Sequence, residues 1–221
     1  MFDSIAPSYD FLNSFLSLGI HKRWKHRLIK KIAHSNPQQI LDVASGTCDL
    51  AILAARLKPR RIVALDLSEK MLEAGKLKIE NKGLSGLIET LVGDAGQIPF
   101  GDGTFDAAMV GFGVRNFEQP VAGMREICRV LKPGSLFCVL EFSHPRKTPF
   151  KQLYHFYFTK ILPLIGKLVS RNNAAYHYLP DSVGNFASRQ DFIDLMQQAG
   201  FKKARYEVLS MGVACLYIAE K

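Results

Sequence analysis

Three aspartates stand where short apolar runs end: Asp42 in "LDVASGTCD", Asp66 in "RIVALD" and Asp94 in "LVGDAGQIPF". If each run is a strand of an open parallel sheet, these acids gather at the edge where such sheets bind ligands. Asp66 lies 20 residues beyond Gly46, a place from which a carboxylate accepts both hydroxyls of an unphosphorylated ribose. Asp94, with Ala95 beside it, can accept the amino group of an adenine, and Ser68 reads as a helix cap. The first turn offers Gly46, which lets the backbone bend tightly against a ligand, the Thr47 hydroxyl and the Asp42 carboxylate. A fourth segment, "FDAAMVGFGVRN", emerges at Gly111–Gly113. The phosphate-binding pattern G-x-G-x-x-G is missing, because Ala44 and Cys48 stand where glycine would be required. A turn with one glycine and several acids is a poor pyrophosphate cradle. It suits a ligand that carries an amine and a positive charge.

Those acids need a sheet to hold them, and the apolar pattern supplies one. It predicts strands at 39–43, 61–65, 88–92, 105–110 and 135–141, and closing strands near 205–209 and 213–219. Helices are expected at 22–34, 49–57, 69–81, 119–130 and 189–199, the last stopped by Gly200. "RVLKPGS" (129–135) reads as a helix stop and a Pro-Gly turn feeding a strand. Strands alternating with helices imply a mostly parallel sheet covered on both faces. Residues 142–187 break the alternation. There Phe150, Leu153, Tyr154, Tyr157, Phe158, Ile161, Ile165 and Leu168 fall at helical spacing, Lys151, Lys160 and Lys167 lie mostly elsewhere on the wheel, and Pro163 should kink the helix.

The chain has 221 residues, enough for one large domain or a domain with an insertion. Its four cysteines, Cys48, Cys128, Cys138 and Cys215, form no Cys-x-x-Cys pair, which fits buried thiols in a reducing, cytoplasmic setting. No secretory leader is visible, and the longest apolar runs are too short to cross a bilayer. No metal-ligand cluster is expected. The net charge is +9. Residues 11–41 and 142–180 hold no acid but six basic residues or more each, a pattern that favours anionic partners such as a membrane surface or nucleic acid.

Taken in order, Asp42, Gly46, Asp66 and Asp94 look like the S-adenosylmethionine site of a class I methyltransferase. That ligand has a ribose, an adenine and a cationic sulfonium but no phosphate, so the missing glycines matter less. "MFDSIAPSYDFLNSFLSLGIHKRW" (1–24) closely resembles the start of the UbiE-type ubiquinone/menaquinone biosynthesis C-methyltransferases. So do "LDVASGTCD", "GDAGQIPF", "FGVRNF" (112–117), "LKPGS", "LEFSHP" (140–145) and "YHYLPDSVGNF" (176–186). The resemblance spans essentially the whole chain. It implies a single domain over 1–221 with a seven-stranded, mostly parallel sheet, an N-terminal helical arm (1–36) and a helical insertion (142–187) facing substrate and membrane. It also implies methyl transfer from S-adenosylmethionine to a ring carbon of a prenylated quinol. The reading adopted is demethylmenaquinol to menaquinol, with a methoxy-benzoquinol as the alternative acceptor.

Mapped by motif, the family's cofactor contacts fall on Thr47, Asp66, Asp94 and Ala95, with Gly46 in the turn. A further contact, often a serine, falls on Gly111. The family turn usually reads G-T-G-D, so Cys48 must adopt a compatible backbone and fit against the helix. A quinol carbon is a weak nucleophile until a phenol proton leaves. Arg115 of "FGVRNF" is the candidate to stabilise the phenolate, being too basic to act as a base itself. The competing reading gives it a structural carboxylate or carbonyl partner. Asn116 can orient a quinol oxygen, and Tyr176 and Tyr178 are expected to contact substrate. His177 is either a proton relay or a surface histidine. Tyr9 and His21 either close over the cofactor or anchor the arm. The 149–171 segment reads either as an interfacial helix or as ordinary core packing against the sheet, and the first reading implies transient membrane contact at the inner face of the cell membrane. A homodimer is compatible with these features. A nucleic-acid methyltransferase would need a target-base motif such as Asn-Pro-Pro-Tyr, which is absent from the sequence. A nicotinamide-dependent oxidoreductase would need the phosphate-binding glycines.

Overall fold

The computed structural model describes residues 19–146, 148–156 and 186–221, apart from the side chains at 153–155. Tyr9, Tyr176, His177, Tyr178 and most of the 142–187 insertion lie outside the described residues. Among the described residues there are seven strands: β1 (Gln39–Val43), β2 (Arg61–Asp66), β3 (Ile88–Val92), β4 (Phe105–Gly111), β5 (Leu131–Phe142), β6 (Lys202–Leu209) and β7 (Ala214–Glu220). The described helices are α1 (Ile20–Ala33), α2 (Asp49–Ala54), α3 (Glu69–Asn81), α4 (Pro120–Val130), α5 (Phe150–Phe156) and α6 (Gln190–Gln198).

The strands form one sheet in the order β3-β2-β1-β4-β5-β7-β6. All neighbours run parallel except β7, which pairs antiparallel with both β5 and β6. Chain direction across the sheet reverses between β1 and β4, so the ligand crevice belongs at their carboxyl ends. Side chains alternate between two cores with the strand period of two. Leu41, Val43, Val63, Leu65, Ala108 and Val110 pack under α4 and α6, whereas Ile40, Ile62, Ala64, Ala107 and Met109 pack under α1, α2 and α3. This is why the inner strands are apolar throughout.

Two expectations needed adjustment. Strand β5 starts at Leu131, which pairs with Phe105 before Leu136 pairs with Ala107. The "KPG" residues bulge between these pairs, with Gly134 at φ +76°, so the turn lies inside the strand instead of before it. The expected helix at 49–57 is α-helical only to Ala54 and tightens to a 3₁₀ turn over Ala55–Leu57. Helix α6 ends as read, with Gly200 just beyond it at φ +104°.

Helix α1 is stapled to the sheet. Trp24 donates its indole N–H to Ser210 Oγ at 2.9 Å and packs against Phe112 and Phe142. His21 is buried in its first turn, 4% exposed, as an anchor would be. All four cysteines are free and buried. Among the described residues no helix is long and apolar enough to cross a membrane, and no cluster could hold a metal ion.

Candidate functional site

A cavity of about 650 Å³ opens at the carboxyl ends of β1, β2 and β4. Its walls are the β1 end (Val43, Ala44, Gly46), the β2 end (Leu65–Ser68) and the loop after β3 (Gly93–Gln97). The β4 end (Gly111–Gly113, Asn116) and the start of α4 complete it. Among the described residues the charged members of this wall are Asp66, Asp94 and Glu118, and no lysine or arginine is among them. A wall with carboxylates and no cation repels phosphates and attracts a cation.

The turn after β1 has the backbone of a glycine-rich loop built with side chains. Gly46 sits at φ +55°, and Ala44 (+52°) and Cys48 (+61°) take the same left-handed conformation. A residue with a Cβ pays strain there, and each is received by a glycine elsewhere. A Cβ on Gly113 would stand 2.5 Å from Ala44 Cβ, and one on Gly75 would stand 2.5 Å from Cys48 Sγ. The glycines missing from the motif reappear across the fold. Burial pushes the Cys48 thiol up to about 12, so it is a neutral packing group.

Asp66 fastens the turn. Its carboxylate accepts from Gly46 N at 2.7 Å and from Ser68 N at 2.8 Å. Ser68 lines the cavity and caps α3, accepting from Met71 N at 3.3 Å. Asp94 is exposed at the rim and accepts from Gly96 N, with Ala95 beside it in the wall. Gly111 also lies in the wall, where an added Cβ would meet Leu50 at 3.3 Å. Phe117 seats on Gly123, whose missing side chain leaves the ring room to close one wall.

Three sequence-read residues sit elsewhere. Thr47 is 3% exposed and is not part of the wall; its hydroxyl accepts from Lys78 Nζ at 3.1 Å, behind the turn. Lys78 also pairs with Asp49, which takes Lys25 Nζ of α1 at 3.0 Å. Burial works against this carboxylate, but Lys25 and Lys78 outweigh it and hold it down at about 2. Asp42 is fully buried and turned away from the cavity. One oxygen accepts from Ala51 N at 3.0 Å, the other has no partner among the described residues, and burial raises the carboxyl to about 8.

Arg115 also stands off the wall, next to Asn116 in it. Its Nη1 donates to Glu141 Oε1 and to Phe112 O, both at 2.6 Å. The side chains are 7% and 1% exposed, so this is a buried ion pair. Its guanidinium also lies over the Phe142 ring. Arg115 Nε is buried with no hydrogen-bond partner among the described residues. The arginine therefore has both the carboxylate and the carbonyl of the structural reading. Glu141, Gly75 and Lys78 were not legible as site residues. Glu141 lies within "LEFSHP", but nothing local ties it to Arg115, 26 residues earlier.

A family model described as the ubiE/COQ5 methyltransferase family matches residues 1–221. A Geobacter sp. (strain M21) protein named ubiquinone/menaquinone biosynthesis C-methyltransferase UbiE is 47% identical over 100% of this chain and 94% of its own length. A Bacteroides fragilis protein named demethylmenaquinone methyltransferase is 40% identical over 100% of this chain and 91% of its own. Among solved structures, a putative S-adenosyl-L-methionine-dependent methyltransferase from Methanococcus maripaludis superposes with a TM-score of 0.68. It is 20% identical, with 100% of this chain and 94% of that one covered. The [4+2]-cyclase SpnF gives 0.70 at 19% identity, over 90% and 80%. At such identities the likeness is one of fold, and the cyclase shows that the fold alone does not fix the reaction.

Proposed function

Because the chain belongs to the ubiE/COQ5 methyltransferase family, we propose that it methylates a ring carbon of a prenylated quinol with S-adenosylmethionine, and that demethylmenaquinol is the acceptor. The observation that carries this reading is the cavity wall: among the described residues it has three carboxylates, no cation and a glycine-like turn at the reversal of strand order. That wall fits a cationic, phosphate-free nucleoside and opposes a dinucleotide. It also opposes nucleic acid as a ligand of this cavity.

When bound, S-adenosylmethionine supplies an electrophilic methyl group on a positive sulfur. The chain's share is positioning and charge. Asp66, fixed by two backbone donors, accepts the ribose hydroxyls. Asp94 accepts the adenine amino group, while Ala95 and Gly111 give close approach without polar contact. Gly46 lets the turn lie flat against the ligand, and Thr47 holds the turn from behind through Lys78. Asn116 orients a quinol oxygen. Arg115, behind the wall beside Asn116, stabilises with its positive charge the phenolate that makes the ring carbon nucleophilic, while Glu141 fixes the guanidinium. Tyr176 and Tyr178 contact the ring from the insertion.

A long isoprenoid tail keeps this substrate in lipid, so the enzyme works at the membrane surface. Exposed Lys22, Arg23 and Lys30 on α1, and exposed Phe150, Lys151 and Phe156 on α5, support a peripheral contact with anionic lipid. A benzoquinol acceptor is the second reading, since the Geobacter relative's name carries both pathways. The test is an assay of purified protein with methyl-labelled S-adenosylmethionine and both reduced quinones. Label in demethylmenaquinol supports the proposal. Label only in the benzoquinol moves it to the second reading, and label in neither overturns it.

A further inference from the structure

We infer that Gly75, on α3 outside the cavity, is a positioning residue for the cofactor turn, because its missing side chain is the notch that lets Cys48 hold a glycine's backbone conformation. The inference rests on the reading of the cavity as the S-adenosylmethionine site. The turn from Ala44 to Cys48 is a thin plate. Its front, at Ala44 and Gly46, is cavity wall. Its back lies on α3, where a Cβ at Gly75 would come within 2.5 Å of Cys48 Sγ, 3.1 Å of Cys48 Cβ and 3.0 Å of the Thr47 carbonyl carbon. The last of these is backbone and cannot swing aside.

Three residues on, the same helix face presents Lys78, whose ammonium holds Thr47 and Asp49. Helix α3 therefore sets the depth of the turn at Gly75 and its lateral position at Lys78. Cys48 fills the notch completely: its side chain is 0% exposed. Anything larger than hydrogen at position 75 must push the plate forward into the space the ligand needs. The glycine at 75 and the cysteine at 48 thus form a matched pair. A turn with glycine at 48 would make far weaker demands on position 75.

The matched pair is tested by titrating S-adenosylhomocysteine calorimetrically into wild type, Gly75→Ala, Cys48→Gly and the double variant, with steady-state kinetics alongside. Overpacking at the notch is expected to weaken nucleoside binding by about tenfold in Gly75→Ala. The KM for S-adenosylmethionine should rise in step, while kcat and the quinol KM stay near wild type. Cys48→Gly binds at least as tightly as wild type. The double variant recovers to within about threefold, short of full recovery because the Thr47 backbone contact remains. A glycine needed only for helix packing would lower melting temperature without this KM split or the rescue. Wild-type affinity in Gly75→Ala, or a double variant as weak as the single, overturns the inference. Cys48→Leu approaches the notch from the other side and should weaken binding likewise. Undiminished affinity there overturns the inference even if Gly75→Ala does not fold. If wild type itself binds no S-adenosylhomocysteine, the functional reading fails first and takes this inference with it.

Discussion

Arg115 is held by Glu141 and proposed to hold a phenolate, and the two roles can be separated. Arg115→Ala leaves Glu141, 1% exposed, as a buried charge without its partner. Removing one member of a buried pair costs about 3–5 kcal/mol. At roughly 2–4 °C per kcal/mol for a chain of this size, melting should fall by about 6–20 °C. Loss of activity in that variant would therefore prove nothing by itself. Arg115→Met combined with Glu141→Gln removes both charges. The glutamine oxygen can still accept Phe142 N, which Glu141 accepts at 3.0 Å. Replacing a buried pair by neutral groups of similar volume is often close to neutral for stability, so most of the lost melting temperature should return. Activity should not return. Assayed below the melting point of the single variant, methyl transfer by the double variant should stay about 100-fold or more below wild type, the usual effect of losing a preorganised charge at a developing oxyanion. Calorimetry and initial rates on the same preparations give both readings. A double variant that regains both stability and activity would show that Arg115 is only structural, and the proposed catalytic role would be withdrawn.

Other consequences follow from the same geometry. Asp66→Ala removes the acceptor of Gly46 N and Ser68 N together with the proposed ribose contact. S-adenosylhomocysteine affinity should fall by about 100-fold, equivalent to losing one or two charge-assisted hydrogen bonds; a loss under about threefold would remove Asp66 from the site. Gly113→Ala puts a Cβ 2.5 Å from that of Ala44 and should weaken cofactor binding by about tenfold or more, with Ala44→Gly restoring it; no rescue would count against the pairing. The buried Asp42 carboxyl has its value raised from 3.8 to about 8. Its protonated form is favoured by folding, so the stability it contributes is present below pH 4 and is lost as pH rises through about 8. Thermal melts from pH 5 to 9 should fall more steeply for wild type than for Asp42→Asn, and equal slopes would refute the assignment.

The sheet and most of the cavity rim can be read from the order of residues. Runs such as "RIVALD" and "QILDV" form buried strands because their apolar residues serve both cores at once. An acid that follows such a run comes out at the carboxyl edge, because strands of a parallel sheet share one direction. That is why Asp66, Asp94 and Gly111 lie on the wall where they were read. Which way the side chains around the turn face is settled by packing between distant elements. Thr47 turns back to Lys78, 31 residues away, and Arg115 turns to Glu141, because a buried donor or charge takes the partner that packing brings within reach. Nor could the order of residues show how a turn with alanine and cysteine in place of glycine is tolerated. The space that frees those two Cβ atoms belongs to Gly113, just after β4, and to Gly75 of α3, and exists only once these segments have packed against the turn.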